Sequence, residues 1–239
     1  MPAAGNVRVT LLDAFGLTCD GSSLSLPMSM QRLVAFVALH AHPVLRPYVA
    51  GSLWPDTTDE RASANLRSVL WRLHRAGLRV IEATDQQLRL RADVAVDLRE
   101  AETLARRTLD DDRAGGLDLD PWLLSRDLLP DWYDDWVLVE RECFRQFRLR
   151  ALDTLCDQLT RTGRLREALE AGLCSMAAEP LRESAHRALI RVHLADGNAC
   201  EAIRQYRLCR RLLRERLGIE PSDRMKELIG AVTATETML

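Results

Sequence analysis

Residues 57–76, TTDERASANLRSVLWRLHRA, decide the fold of the N-terminal part of this chain. The TTDE start fits a capping box with Thr57 as the N-cap and Glu60 three residues on, so a helix is expected to begin here. Gly77 suits the position just after a helix end, which places the end near Ala76. At about 100° per residue the apolar side chains fall on one core-facing stripe. That stripe consists of Ala62, Leu66, Val69, Leu70 and Leu73.

The opposite face of this helix is rich in arginine and carries a tryptophan near its centre. A solvent-facing Trp is uncommon, because leaving it exposed forfeits about 1.5–3 kcal/mol of burial. One interpretation is a solvated face with Trp71 packed on another element. The favoured interpretation is a recognition helix, in which Arg contacts guanine edges or phosphates and Trp71 packs on a sugar or a thymine methyl group. The candidate residues are Arg61, Arg67, Ser68, Trp71, Arg72 and Arg75.

The segments on either side of this helix predict a winged helix-turn-helix with an N-terminal sheet. Alternating apolar residues over 7–26 indicate a small sheet, and helices are expected over 29–41, with Ala41 on its apolar stripe, and from Pro47 to Trp54. After the third helix, strand 79–81, turn 84–87 and strand 88–91 predict a hairpin, with Arg89 and Arg91 on one solvent side. In this arrangement the third helix enters the major groove and the wing touches the adjacent backbone.

The second half of the chain predicts an all-α domain built on repeats. Helix is expected from Asp97 to about Leu109 and again from Val137 onward. Gly163-Arg-Leu-Arg-Glu-Ala-Leu169 matches Gly197-Asn-Ala-Cys-Glu-Ala-Ile203 at an offset of 34 residues, a spacing typical of tetratricopeptide repeats. The segment between these two helical stretches is predicted to be a loop whose aromatic side chains fill a groove between helices. These side chains are Trp132, Tyr133 and Trp136. The predicted domains are 1–96 and 97–239.

The charge distribution agrees with two modules that have different partners. Residues 61–91 contain seven arginines and two acidic residues, whereas residues 110–135 contain nine aspartates and two arginines. From residue 151 on there are 14 basic and 13 acidic groups, so this part gains little from phosphates and is free to contact protein. The whole chain has a net charge of −2, which argues against indiscriminate nucleic-acid binding.

Enzymatic, metal-dependent and membrane functions find no support in the motifs. The chain has no P-loop, dinucleotide-binding, GxSxG or HExxH pattern, and its six cysteines form no CxxC pair. The histidines at 40, 42, 186 and 193 lack partners at metal-ligand spacing, so no cofactor or metal is expected. No apolar run reaches the roughly 18 residues of a membrane span and no signal peptide is visible, so a cytoplasmic location at the nucleoid is expected.

Four stretches together resemble a known family of regulators. They are Leu53-Trp54-Pro55-Asp56, RASANLRSVLWRL at 61–73, LPDWYDDWVLVER at 129–141 and GNACEAIRQYRLCRRLLRERLGIEP at 197–221. In this order they resemble the antibiotic regulatory proteins of actinomycetes (the SARP family). These proteins join an OmpR-type winged helix to a bacterial transcriptional activation domain with tetratricopeptide-like repeats. The wing turn of this chain departs from the pattern because it lacks glycine.

The resemblance implies a pathway-specific activator of antibiotic biosynthesis. Such a protein binds direct repeats in double-stranded DNA near promoters, as a dimer on DNA, and recruits RNA polymerase; no small-molecule substrate is implied. The alternative is a tetratricopeptide-like interaction scaffold whose winged helix does not bind DNA. Binding of promoter DNA in a gel shift distinguishes the two.

Overall fold

The computed structural model describes residues 6–110 and 121–236, and the chain divides into two compact units. One unit comprises Met1–Glu100 and Asp127–Glu142, and the other comprises Ala101–Arg126 and Cys143–Leu239. The fold is mainly helical with a small β component, as predicted. The division differs from the predicted boundary between residues 96 and 97, because residues 127–142 belong to the N-terminal unit.

The secondary structure of the first unit follows the order sheet, three helices and hairpin. Its strands are β1 Val7–Thr10, β2 Gly16–Cys19, β3 Ser22–Ser23, β4 Val44–Leu45, β5 Ile81–Ala83, β6 Gln87–Leu90 and β7 Ala95–Val96. Its helices are α1 Met28–Leu39, α2 Arg46–Leu53 and α3 Asp59–Arg75, followed by the start of α4 (Asp97–Asp110) and the start of α5 (Asp135–Arg161). One sheet has the order β3-β2-β1-β7, and the other, which contains the wing hairpin, has the order β4-β6-β5.

Three local details differ from the sequence prediction. Helix α1 ends at Leu39, so Ala41 lies outside it and is exposed. The first strand of the wing is Ile81–Ala83 and not 79–81, and in this register Glu82 lies opposite Arg89. The short strand β4 precedes α2 and pairs with β6, a pairing across about 43 residues for which the two-residue strand gave no periodic signal.

Residues 127–129 join the first unit through backbone hydrogen bonds to the segment that follows β1. Asp13 N donates to the carbonyl of Asp127 at 2.7 Å, and Leu129 N donates to the carbonyl of Leu11 at 2.9 Å. Leu128 and Leu129 are both buried. This pairing connects parts of the chain that lie more than 100 residues apart, which explains why a boundary drawn from local composition at residue 96 missed it.

The aromatic residues that follow only partly match the predicted groove-filling loop. The Trp132 ring stacks on Phe15 with 5.9 Å between ring centroids, and the Trp136 ring meets Phe36 edge-on at 5.1 Å. Trp136 belongs to helix α5, not to a loop. The prediction that Tyr133 fills a groove is wrong, because its side chain is 79% exposed and faces solvent.

The second unit is an array of helices joined by short turns. After a 3₁₀ turn at Pro121–Leu124, the helices are α5, α6 Leu165–Ala178, α7 Glu183–Ala195, α8 Ala199–Leu217 and α9 Asp223–Glu236. Gly163 and Gly197 occupy the turns after α5 and α7, with φ angles of 75° and 72° that favour glycine. The 34-residue offset therefore relates two helix pairs, as the sequence predicts.

Small residues allow the close helix contacts in this array. Ala151 and Ala185, which the repeat aligns, are both fully buried. A Cβ placed on Gly172 in α6 would lie 2.6 Å from Leu189 Cδ2 and 3.3 Å from Cys156 Sγ. Helices α5, α6 and α7 thus approach one another at a point where only glycine fits without displacement of the Leu189 side chain.

Candidate nucleic-acid interface

Helix α3 has defined hydrogen-bonded ends. Its N-cap is Thr58, whose Oγ1 accepts from Arg61 N at 3.5 Å, and not Thr57 as the capping-box pattern predicted. Thr57 Oγ1 instead donates to the carbonyl of Trp54 at 3.1 Å. The pKa of Glu60 is lowered by a hydrogen bond from its own backbone N–H and by one from Thr58. At the other end Gly77, with φ 76°, ends the helix as expected.

The buried face of α3 fixes the orientation of the helix. Ala62, Leu66, Val69 and Leu73 are buried, and Leu70 is partly buried at the margin of the stripe. This agrees with the helical period derived from the sequence, with Leu70 less central than predicted. The core contacts of these residues hold the opposite face of α3 towards solvent.

All six predicted side chains on α3 lie on its exposed surface. They are Arg61, Arg67, Ser68, Trp71, Arg72 and Arg75. Trp71 is 58% exposed, so more than half of its side chain faces solvent. The Arg75 guanidinium lies 5.1 Å from the centroid of the Trp71 ring, an arrangement that favours a cation–π contact and restricts both side chains. Arg72 Nε donates to the carbonyl of Ser68 at 3.4 Å.

The arginines of α3 are not neutralised within the described part of the chain. Arg61, Arg67, Arg72 and Arg75 form no ion pair with any carboxylate there, although many other arginines do. Asp59 and Glu60 are confined to the first turn of α3, where the helix dipole favours them. The exposed face beyond that turn therefore presents cations and an aromatic ring.

The two wing arginines, Arg89 and Arg91, each pair with a carboxylate. Arg89 Nε donates to Glu82 Oε2 at 2.6 Å across the hairpin. Arg91 Nε and Nη2 donate to the two carboxylate oxygens of Asp93 at 2.8 and 2.6 Å, and this pair lowers the pKa of Asp93. Both arginines are thus held by carboxylates, which sequence alternation alone did not indicate. Leu88 and Leu90, which alternate with these two arginines along the strand, are buried.

Two further arginines of this unit were not selected from the sequence. Arg46 Nη1 donates to the carbonyl of Thr84 in the wing turn at 3.0 Å, and Arg46 N donates to the carbonyl of Gln86 at 2.9 Å. This contact between the start of α2 and the wing gave no local signal. Arg79 lies exposed between α3 and β5. Arg79 could have been selected from the sequence because it lies in the basic stretch 61–91.

The remaining titratable groups have structural partners. His186 Nε2 lies 2.8 Å from the carbonyl of Pro180 and its Nδ1 lies 2.7 Å from Gln205 Nε2, so the ring donates through Nε2 and accepts through Nδ1. Burial lowers the pKa of His186. Among residues 6–110 and 121–230, no group of three or more His, Cys, Asp or Glu side chains is placed to hold a metal ion. In the same ranges no helix is both long and apolar enough to cross a membrane.

Comparison with known proteins identifies the family. The family described as "Bacterial transcriptional activator domain" matches residues 72–233, which is more than half of the chain. The chain therefore belongs to this family, and it is a regulator of the SARP type that its sequence motifs resemble. The family is one of transcriptional activators.

Two similar proteins support this placement. Regulatory protein AfsR of Streptomyces coelicolor is 28% identical in an alignment that covers 94% of this chain and 24% of AfsR, so the chain spans about a quarter of that relative. The structure of Mycobacterium tuberculosis EmbR in complex with a low-affinity phosphopeptide superposes with a TM-score of 0.76 at 18% identity. That match covers 97% of this chain and 66% of EmbR, and it shows a shared fold of winged helix and helical domain.

Proposed function

We propose that this chain is a sequence-specific DNA-binding activator that places α3 in the major groove. The observation that carries the proposal is the exposed face of α3, where four arginines pair with no carboxylate of the described residues and a tryptophan lies beside them. Arg forks match the O6 and N7 acceptors of guanine, and the major groove, about 12 Å wide, admits a helix. The Arg75–Trp71 contact holds two of these side chains in place before DNA arrives, which lowers the entropic cost of binding.

In this proposal the wing contacts the DNA backbone. Arg89 and Arg91 exchange their carboxylate partners for phosphates, so part of their contribution is offset by the lost ion pairs. Arg46, which contacts the wing turn, supports the position of the hairpin. The wing therefore adds less free energy than its number of arginines indicates, and α3 supplies most of the affinity and all of the base contacts.

Family membership supports the rest of the mechanism. Two copies bind one face of the DNA head to tail on a direct repeat, with successive major grooves about 10–10.5 base pairs apart. The helical second unit contacts RNA polymerase at the promoter. A few kcal/mol of added contact raises polymerase occupancy at a poor promoter, at about 1.4 kcal/mol per tenfold. The target promoters belong to antibiotic biosynthesis, and the protein acts in the cytoplasm at the nucleoid with no catalytic role.

DNA binding is tested with a site selected from a random pool of duplexes. Fluorescence anisotropy then compares the parent chain with Arg67→Ala and with Arg72→Ala. Each variant should weaken binding to the selected site by about 1–3 kcal/mol. Arg166→Ala serves as the matched control, because Arg166 is an exposed arginine of α6 in the other unit. If no duplex is selected, or if both α3 variants bind like the parent, the scaffold interpretation replaces this proposal.

Recruitment is tested by transcription in vitro with purified polymerase on a promoter that carries the selected site. Increased transcript with the full chain, lost in the Arg67→Ala/Arg72→Ala double variant, supports activation. An occupied site without increased transcript at saturating protein would refute activation by this chain alone while leaving DNA binding intact.

A further inference from the structure

Helix α8 carries a basic surface that DNA binding by α3 does not use. From Ala199 to Leu217 there are six arginines and two glutamates, a net charge of +4, although the chain from residue 151 on is nearly neutral. At about 100° per residue, four of the arginines fall within an arc of about 80°. These four, all exposed, are Arg204, Arg207, Arg211 and Arg214, and we call them the α8 stripe.

The four arginines of the α8 stripe differ in whether they pair with a carboxylate. Arg204 pairs with Glu201 at 2.5 Å, and its side chain is still 77% exposed. Arg214 lies 3.9 Å from Glu220, at the limit of an ion pair. Arg207 and Arg211 form no ion pair with a carboxylate in residues 6–110 and 121–230, whose side chains the structure describes. The centre of the stripe therefore offers two guanidinium groups to a partner outside the chain.

The stripe borders a concave surface with a volume of about 420 Å³. The partly buried Leu208 and Gln205 lie in this cavity, and Arg204, Arg207 and Arg211 line it. The methylene groups of arginine side chains add apolar surface beneath their charged heads. The surface thus combines an apolar depression with cations at its edge.

We propose that the α8 stripe binds an acidic segment of a protein partner. Carboxylates of the segment pair with Arg207 and Arg211, and an apolar side chain beside them enters the cavity against Leu208. Arginine suits this role because its planar fork binds a carboxylate through two parallel hydrogen bonds and is more weakly hydrated than an ammonium group. The proposal does not depend on DNA binding by α3.

Three observations favour a protein over the phosphates of a nucleic acid. Glu201 lines the cavity, where its carboxylate would repel an unbroken row of phosphates more strongly than an acidic segment in which apolar side chains separate the carboxylates. A phosphate backbone also has no apolar side chain to place against Leu208. Finally, residues 151–239 contain 14 basic and 13 acidic groups, so this part of the chain produces little long-range attraction for a polyanion.

The test uses the full chain and three labelled probes in anisotropy titrations. The probes are a peptide of alternating Asp and Leu, poly-glutamate of the same length, and a random-sequence DNA duplex. The variants are Arg207→Glu/Arg211→Glu and Leu208→Ala. The matched control is Arg216→Glu, because Arg216 is an exposed arginine of the same helix about 180° from Arg207 and pairs with no carboxylate among the side chains that the structure describes. Circular dichroism checks folding, and Arg207→Gln/Arg211→Gln replaces the Glu pair if that variant is unfolded.

We expect the Asp-Leu peptide to bind more tightly than poly-glutamate. The double charge reversal should weaken peptide binding at least about tenfold, Leu208→Ala should weaken it severalfold, and Arg216→Glu should leave it within twofold. Absence of peptide binding would overturn the proposal. So would equal loss in Arg216→Glu, or equal binding of peptide and poly-glutamate with no effect of Leu208→Ala. If Arg207→Glu/Arg211→Glu weakens duplex binding more than peptide binding, the stripe is assigned to nucleic acid instead.

Discussion

Trp71→Ala should separate DNA binding from stability, because the Trp71 ring is largely outside the core. The side chain is 58% exposed, and a Trp offers roughly 150–250 Å² of surface, so about 90–145 Å² remains for DNA to cover. At about 25 cal/mol per Å² the upper limit of this term is about 2–4 kcal/mol. Incomplete coverage on DNA reduces the expected loss to about 1–3 kcal/mol, which is roughly a 5- to 150-fold increase in Kd.

The same substitution should lower the free energy of unfolding by at most about 2–3 kcal/mol. The contact with Arg75 is lost, and an exposed cation–π contact contributes about 0.5–1 kcal/mol. The covered part of the side chain, roughly 60–105 Å², contributes at most about 1.5–2.5 kcal/mol. Trp122→Ala is the matched control, since Trp122 is 56% exposed and lies in the 3₁₀ turn of the second unit. It should leave the affinity for the selected DNA site unchanged.

The assay combines anisotropy with the selected duplex and urea unfolding of each variant. Equal Kd values for Trp71→Ala and the parent chain would refute the placement of Trp71 against DNA. An equal loss of affinity in Trp122→Ala would show that the effect is not specific to α3. A loss of several kcal/mol of stability in Trp71→Ala would contradict the exposed position of the ring.

Three other changes probe the wing, the helix array and a buried histidine. Glu82→Gln should release Arg89 and raise the affinity for any duplex, with a steeper salt dependence, in anisotropy titrations from low to high salt; unchanged affinity would mean that the wing arginine does not approach phosphates. Gly172→Ala should cost about 1–3 kcal/mol in urea unfolding, whereas Gly51→Ala, where the added Cβ meets nothing within 4 Å, should be neutral or stabilising. Burial lowers the pKa of His186, so as pH falls below about 6.5 the unfolded chain takes up a proton before the folded chain does. The free energy of unfolding should therefore fall in this range by at most about 1.4 kcal/mol per pH unit. His186→Gln should make this pH dependence flatter.

Much of the fold could be predicted because its signals are periodic and local. The apolar stripe of α3, the two proline-bounded helices before it and the 34-residue repeat each appear within a short window of sequence. The exposed face of α3 followed from the same period, since residues opposite a buried stripe face away from it. The cap was misplaced by one residue because Thr57 and Thr58 are chemically equivalent candidates, and the backbone path from α2 decided between them.

The electrostatic state of the site could not be predicted, because it depends on strand register. A shift of the first wing strand from 79–81 to 81–83 places Glu82 opposite Arg89, and this pairing neutralises a cation that sequence alternation had left free. The basic face of α8 was likewise hidden by a near-neutral composition. The net charge of a stretch of sequence does not show on which surface of the folded chain each charged side chain lies.

The sequence by itself determined most of the element types and the face of α3 that is proposed to contact DNA, because helical period and capping act within a few residues. It indicated the class of regulator through four motifs that resemble a known family. The tertiary structure alone decided which unit holds residues 127–142. Leu129 reaches the Leu11 carbonyl, and Trp132 stacks on Phe15, across more than 110 residues of chain. Such contacts depend on the packing of distant surfaces, and a segment of mixed aromatic and acidic residues has no period that reveals the surface it will cover.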